Sequence, residues 1–405
     1  MPDSNNFGRS ALTALPSADR GRVSRVVAFG CALVVTGAFC FCPGVFAQTS
    51  DSPTSEEPTR QWTATTDLKS DAQSPQRTRV RIVESHSQNG DRKLDKRSVE
   101  IRRTDGHFEP YQEIESETLS IDASTVRTTM RTFAWDVNGR KALVQVTEEE
   151  RHTSPEGGSS VLRRTSNPDV NGRLQPVQRE IVETKKIGDD LEETNTTVML
   201  PSVEGGLAPV FKTQETRKRV ANDTVESEKS TWMPDFNGKW QLSETRQATA
   251  RLEGTNRTTE ERVSRLDPEG KLGEISHVVT RESESTPGEK RSVVETYSID
   301  VPGTARDGRL HLVERKTSTE SSSSAGERTT EQKVEQINPG DPASGLRVSV
   351  LVDGRMVPGP SGEQSTVTIR ERDSNGNFGI VVVETTKSDR IPTLQFQQTP
   401  AENQQ

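Results

Sequence analysis

A turn repeat of about 33 residues is the feature that most constrains how this chain can fold. Turn glycines recur at Gly106, Gly139, Gly172, Gly205, Gly238 and Gly270, several of them within Asp-x-Asn-Gly phrases. A second series of turns falls near the middle of each period, as at Gly157, Gly188 and Gly254. Asn-Gly and Asp-Gly pairs favour hairpin turns because these residues tolerate positive φ. We therefore expect the chain to reverse direction twice in each period.

The segments between the turns are typical of β-strands. Thr366–Glu371 places both of its apolar residues on one face, and the segments around Val80 and Val99 do the same. Period-two alternation of β-branched residues indicates strand, and the charge-rich segments lack the apolar stripe of a helix. The sequence predicts an all-β fold, an elongated antiparallel meander of roughly 16–18 long polar strands built from hairpin repeats of about 33 residues. A largely disordered chain is the main alternative.

Composition limits the size of the core. The charge is modest, −8 in total, with both signs mixed along the chain, so no basic patch for nucleic acid is expected. Leu, Ile, Val and Phe are too scarce for a large interior, so a thin sheet is predicted rather than a compact globule. Because large open sheets curl or split, either a curled open sheet or a solenoid-like stack fits.

The N-terminus has the three regions of a secretory signal peptide. An arginine-rich start precedes an apolar run from Val26 to about Phe41, and Pro43-Gly44 and a small-residue pattern ending at Ala47 follow. The run is shorter than a spanning helix requires, so cleavage after Ala47 is favoured over an uncleaved membrane anchor. All three cysteines lie within residues 1–47, so the mature chain can form no disulfide.

Four segments are predicted. Residues 1–47 are the signal peptide and 48–75 a flexible leader rich in Ser, Thr, Pro and acidic residues. Residues 76–387 form the β-hairpin repeat domain, and 388–405 form a flexible tail. No transmembrane segment is expected once the signal has been removed.

The sequence contains no recognisable catalytic or cofactor motif. Nucleophile-elbow and phosphate-loop patterns are missing, and none of the five histidines has a zinc-type partner nearby. The Asp-x-Asn-Gly turns lack the distal Glu of a calcium loop, so their aspartates are interpreted as turn caps. No enzyme activity, catalytic residue, cofactor or metal site is predicted.

Aromatic residues cluster near one of the two turn series. Hairpin geometry would place these residues at the same end of successive hairpins, where they either pack locally against the turns or form a linear binding rim. The candidate interaction rim consists of Phe108, Tyr111, Phe133, Trp135, Trp232, Phe236, Trp240 and Phe378, with Phe211 also near these turns.

These features predict an exported, non-enzymatic structural or interaction protein of the bacterial cell envelope or exterior. It would act in the periplasm, on the outer cell surface or in the medium, with an envelope polysaccharide or another envelope protein as partner. A periplasmic carrier that holds an apolar ligand inside a curled sheet is the alternative. An outer-membrane β-barrel is less favoured, because segments such as Glu226–Thr231 are charged on both strand faces.

Overall fold

The fold is an antiparallel β-meander, seen in a computed structural model. The structure describes the backbone of residues 60–68 and 76–390, except residues 137, 268, 305, 306, 361 and 374. Side chains are described from residue 79 to residue 387, apart from the same six positions. These residues contain no α-helix and one short 3-10 helix, Pro342–Ser344. The strands are β1 Arg60–Leu68, β2 Gln76–Asn89, β3 Arg92–Arg102, β4 Phe108–Ser120, β5 Thr125–Trp135, β6 Lys141–Thr153, β7 Ser159–Pro168, β8 Leu174–Lys186, β9 Leu191–Pro201, β10 Leu207–Ala221, β11 Thr224–Pro234, β12 Trp240–Glu253, β13 Asn256–Leu266, β14 Leu272–Thr286, β15 Glu289–Ser298, β16 His311–Ser322, β17 Arg328–Ile337, β18 Leu346–Pro358, β19 Gly362–Arg372 and β20 Phe378–Arg390.

Each strand pairs with the strands before and after it in the chain, which confirms the predicted all-β antiparallel meander. The described residues form 20 strands, somewhat more than the predicted 16–18. The first and last strands are also hydrogen-bonded to each other, because β1 pairs antiparallel with β20. The sequence does not predict this pairing, since β1 lies in the segment interpreted as a leader.

The predicted segment boundaries differ from the structure at both ends of the repeat domain. Arg60–Leu68 forms β1 and pairs with β2, so the leader prediction is wrong for those residues. Their Thr-rich sequence suits a strand, but the Pro- and Ser-rich stretches on both sides hide it. Strand β20 continues to Arg390, into the predicted tail. The predicted signal peptide, 1–47, and residues 391–405 lie outside the described residues.

The Asp-x-Asn-Gly turns are held by their aspartates, as predicted. In the turn at Asp136, its side-chain Oδ1 accepts the backbone N–H groups of Asn138 and Arg140 at 2.8 and 2.9 Å. The turn at Asp169 repeats these two bonds, to Asn171 and Arg173. The carboxylates therefore cap the turns.

A β-bulge follows the turn in each of nine hairpins, from β3–β4 to β19–β20. One residue of the second strand is left without a partner on the first, so two residues oppose one. The extra residues are Tyr111, Val144, Val177, Val210, Ser243, Ile275, Val313, Ser349 and Val381. They stand four or five residues after the turn glycine, so the repeat in the sequence is also a repeat of bulges.

The core is thin, as the composition predicts. The buried apolar side chains of the described residues are Ile82, Val146, Val198, Val263, Val279, Ile337 and Val382. They are spread over the sheet rather than gathered in one interior, so the backbone ladders and cross-strand pairs carry most of the stability. Among the described residues, no helix has the length and apolar character needed to cross a membrane.

We predict that replacing a turn glycine by alanine lowers the stability of the sheet more than the same replacement within a strand. Gly172 has φ 77°, and a residue with a Cβ adopts that conformation at a cost of about 1–2 kcal/mol. Gly172→Ala should lower the free energy of unfolding by about that amount in urea titrations. Gly273→Ala is the matched control, because a Cβ there meets open space. Equal losses from both variants would contradict this account.

Candidate functional site

The two faces of the sheet can be followed from strand to strand. Directly opposite residues point to the same side, and successive residues alternate. The front face carries Glu113, Phe133 and Val146, and the back face carries Thr132 and Val198. Alternate turns of a meander lie at alternate ends of the strands. We call the end formed by the turns that precede even-numbered strands the Asn-Gly rim.

Each bulge shifts the alternation of side chains between the two faces by one residue, at a point between the Asn-Gly rim and the middle of the strand. Trp240 and Leu242 lie on the front face, but the extra residue Ser243 shifts Glu244 to the back face. The same shift occurs in the other bulged strands. A strip of front face about two residues deep, roughly 7 Å, is therefore separated from the rest of the strands by the bulges.

This strip is largely apolar. Several strand pairs place an apolar residue on both partners: Phe133–Leu143, Pro168–Leu174, Met199–Pro209, Pro201–Leu207, Trp232–Leu242, Pro234–Trp240, Leu266–Leu272, Tyr297–Leu312 and Ile337–Leu346. Each hairpin whose turn lies at the Asn-Gly rim, from β5–β6 to β17–β18, contributes at least one such pair. We call this surface the apolar strip.

The structure brings most of the predicted rim residues together. Six of them lie on the front face in or beside the apolar strip: Phe108, Phe133, Trp135, Trp232, Trp240 and Phe378. Tyr111 is a bulge residue with 58% of its surface exposed, and Phe236 lies in the β11–β12 turn with 97% exposed. Phe211, opposite Val198, is on the back face and outside the strip.

Sequence reasoning missed the aliphatic members of the strip. Leu143, Leu242 and Leu312 complete the surface between the aromatic residues. A search for regular alternation misses these leucines, because each one lies just before a bulge. Beyond the bulge, the residues that face the front change from one set of alternate positions to the other. The signal that could have found them is the constant distance from the turn glycine.

Cations lie over three aromatic rings of the front face. The Lys141 Nζ is 4.0 Å from the centroid of Phe133, and the Lys212 Nζ is 4.4 Å from that of Trp240. The Arg81 guanidinium is 4.6 Å from the centroid of Phe108. These cation–π contacts fix the rings and place positive charge along the strip.

Glu113 anchors the charges next to the strip. Its carboxylate accepts hydrogen bonds from Lys141 at 2.5 Å and lies 3.0 Å from the Lys96 Nζ. Burial is the largest single influence and raises the pKa of Glu113, but the bonds from Lys141 and Lys96 together outweigh it and lower the pKa to about 2. The carboxylate thus stays ionised and keeps Lys141 beside Phe133.

Away from the strip, both faces carry ion-pair ladders. On the front face, Glu295 bonds Arg281 and Arg315 from the two neighbouring strands, both at 2.8 Å. On the back face, Arg163 bonds Glu149 at 2.7 Å and Glu180 at 2.8 Å. Neither face offers a continuous apolar surface over the length of the strands.

Nothing in the described part of the chain forms a metal cluster. No group of three or more His, Asp or Glu side chains in the described residues is arranged to hold an ion. His86 lies 2.6 Å from Asp95, and His311 lies 2.8 Å from Asp307, so these histidines pair with single carboxylates.

Comparisons with known proteins give no family. No family model and no curated protein matches the sequence. Among solved structures, two mutants of a porin from Rh. blastica are each 5% identical, with a TM-score of 0.37 over 60% of this chain and 93% of theirs. A triple mutant of the Rhodopseudomonas blastica porin gives the same values. Likeness at this level carries no conclusion about function or location.

We predict that Glu113 makes stability depend on pH. Its pKa in the folded chain, about 2, lies below the ordinary value of 4.5, so its stabilising effect is present above that ordinary value. The effect should be lost as the pH falls from about 4.5 towards 2. Urea titrations of Glu113→Gln should show lower stability at neutral pH and a shallower acid decline than the parent protein.

The matched control for this experiment is Glu226→Gln, which removes an exposed front-face carboxylate. It should leave the acid decline unchanged. If Glu113→Gln and Glu226→Gln give the same profile, the ionised Glu113 cluster does not stabilise the sheet.

Proposed function

We propose that this chain is an exported, non-catalytic interaction protein of the bacterial cell envelope or exterior, and that it binds an extended partner along the apolar strip. The observation that carries this proposal is the placement of six candidate aromatic residues on one face at one rim. Large apolar patches on a polar surface are typical of binding sites. Aromatic residues, which combine large contact area with few rotatable bonds, are typical anchors.

Export rests on the sequence of residues 1–47. N-terminal sequencing of the protein recovered from outside the cytoplasm tests it. The mature chain should begin at Gln48, whereas an intact N-terminus on a membrane-bound protein would support the anchor instead.

The structure favours an interaction surface over a carrier. A carrier needs one face that is apolar along the whole strand, and here Glu295 with its two arginines and Arg163 with its two glutamates occupy the middle of opposite faces. Burying such groups against an apolar ligand would be costly. The apolar strip at the Asn-Gly rim is the surface on which apolar cross-strand pairs can exclude water.

The strip can be tested by removing its aromatic anchors. Trp232→Ala with Trp240→Ala should weaken sedimentation of the mature protein with isolated cell envelopes, because the indoles are the largest side chains of the strip. We expect a loss of about tenfold or more in apparent affinity, as each lost anchor costs about 1–2 kcal/mol.

Phe211→Ala is the matched control, since it removes an aromatic ring near the same rim from the back face. It should bind envelopes like the parent protein. Equal binding by the double tryptophan variant, with an unchanged circular dichroism spectrum, would rule out the strip as the contact surface.

A further inference from the structure

Lys212 differs from the other cations of the strip in what surrounds it. It lies on β10, directly opposite Thr197 on one side and Trp232 on the other. Its ammonium reaches the Trp240 ring, two strands away, at 4.4 Å from the ring centroid. A positive charge is therefore held over one indole of the strip, with Trp232 as the cross-strand neighbour of Lys212.

The other two ring-bound cations each hold a carboxylate of the sheet. Lys141, over Phe133, bonds Glu113, and Arg81, over Phe108, pairs with Glu100. Within the described part of the chain, Lys212 has no carboxylate within ion-pair distance; its front-face neighbours Thr197, Gln214 and Trp232 are uncharged. The other two cations thus each have a carboxylate partner, and Lys212 has none among the described residues.

We propose that Lys212, with Trp232, Trp240 and the exposed Phe236, binds an acidic polysaccharide, with the Lys212 ammonium taking a sugar carboxylate. This inference rests on the proposed function and names its partner. The indole and phenyl rings offer flat apolar surfaces to the C–H faces of a pyranose. An exposed ammonium held over a ring is well placed to bind an anion.

The geometry of the strip favours a polysaccharide over other anionic partners. Neighbouring strands are about 4.8 Å apart, so each hairpin advances the strip by about 10 Å. That step is close to the length of a disaccharide unit, so a stiff polymer of sugar units could meet successive hairpins in register. A lipid surface fits less well, because Asp235 and Lys239 lie in the turn beyond the strip and would have to enter it.

Titration of the mature protein with oligogalacturonate, followed by tryptophan fluorescence, tests this site. Lys212→Met keeps the aliphatic stem and removes the charge, so affinity should fall about tenfold or more and the dependence on salt should weaken. Lys218→Met, which changes an exposed lysine on the same strand and face but away from the strip, is the matched control and should bind like the parent. Thermal unfolding of both variants checks that the sheet is intact.

Two further polymers test the charge and the sugar separately: neutral dextran is a saccharide without charge, and poly-glutamate is an anion without sugar. Weak binding of both supports an acidic saccharide, whereas dextran binding as tight as that of oligogalacturonate overturns the role of the charge. Poly-glutamate binding of equal strength overturns the role of the sugar. If Lys212→Met leaves oligogalacturonate binding unchanged while the double tryptophan variant loses envelope binding, this inference fails and the proposed function stands.

Discussion

The backbone hydrogen-bond ladder between neighbouring strands is the constraint on which the rest of this structure depends. In the described part of the chain the buried apolar side chains are few and scattered, and they form no central core that could hold the strands together. Each strand is fixed by its two neighbours, and the pairing of β1 with β20 gives partners to the first and last strands as well. Unpaired strand edges invite association with other chains, so this pairing also protects an otherwise exposed edge.

A ladder-held sheet leaves its side chains free to serve other purposes. In the middle of the strands they form charge ladders, such as Arg281–Glu295–Arg315, in which one residue bonds partners on both sides. Cross-strand pairs of this kind contribute about 0.2–1 kcal/mol each, and their sum over many strands can replace a core. At the Asn-Gly rim the bulges separate a short strip from this pattern, and that strip is apolar. The molecule thus separates charge ladders from an apolar strip along the length of each strand.

The sequence predicts the repeat, the strand class, the turn caps and the clustering of aromatics at one rim, because each depends on local residue chemistry. It does not predict β1, since the Pro- and Ser-rich segments around Arg60–Leu68 mask its alternation. Nor does it predict which aromatics share a face. Phe211 and Trp232 lie near the same rim, yet the pairing of each strand places them on opposite faces. Face assignment needs the bulge positions. The pairing of two strands reveals them, and only then does their regular distance from the turn glycine become a recognisable signal.

The register across a bulge is the most direct test of this account. The chain has cysteines only at positions 31, 40 and 42, so in a protein expressed from Gln48 onwards an introduced pair supplies the only two thiols. The bulge at Ile275 places Ser264 opposite Glu274, whereas an unbulged ladder would place it opposite Ile275. Mild oxidation should therefore cross-link Ser264→Cys with Glu274→Cys much faster than with Ile275→Cys, because a disulfide requires closely facing Cβ atoms. Faster cross-linking of the Ile275→Cys pair would contradict the bulged register and, with it, the apolar strip.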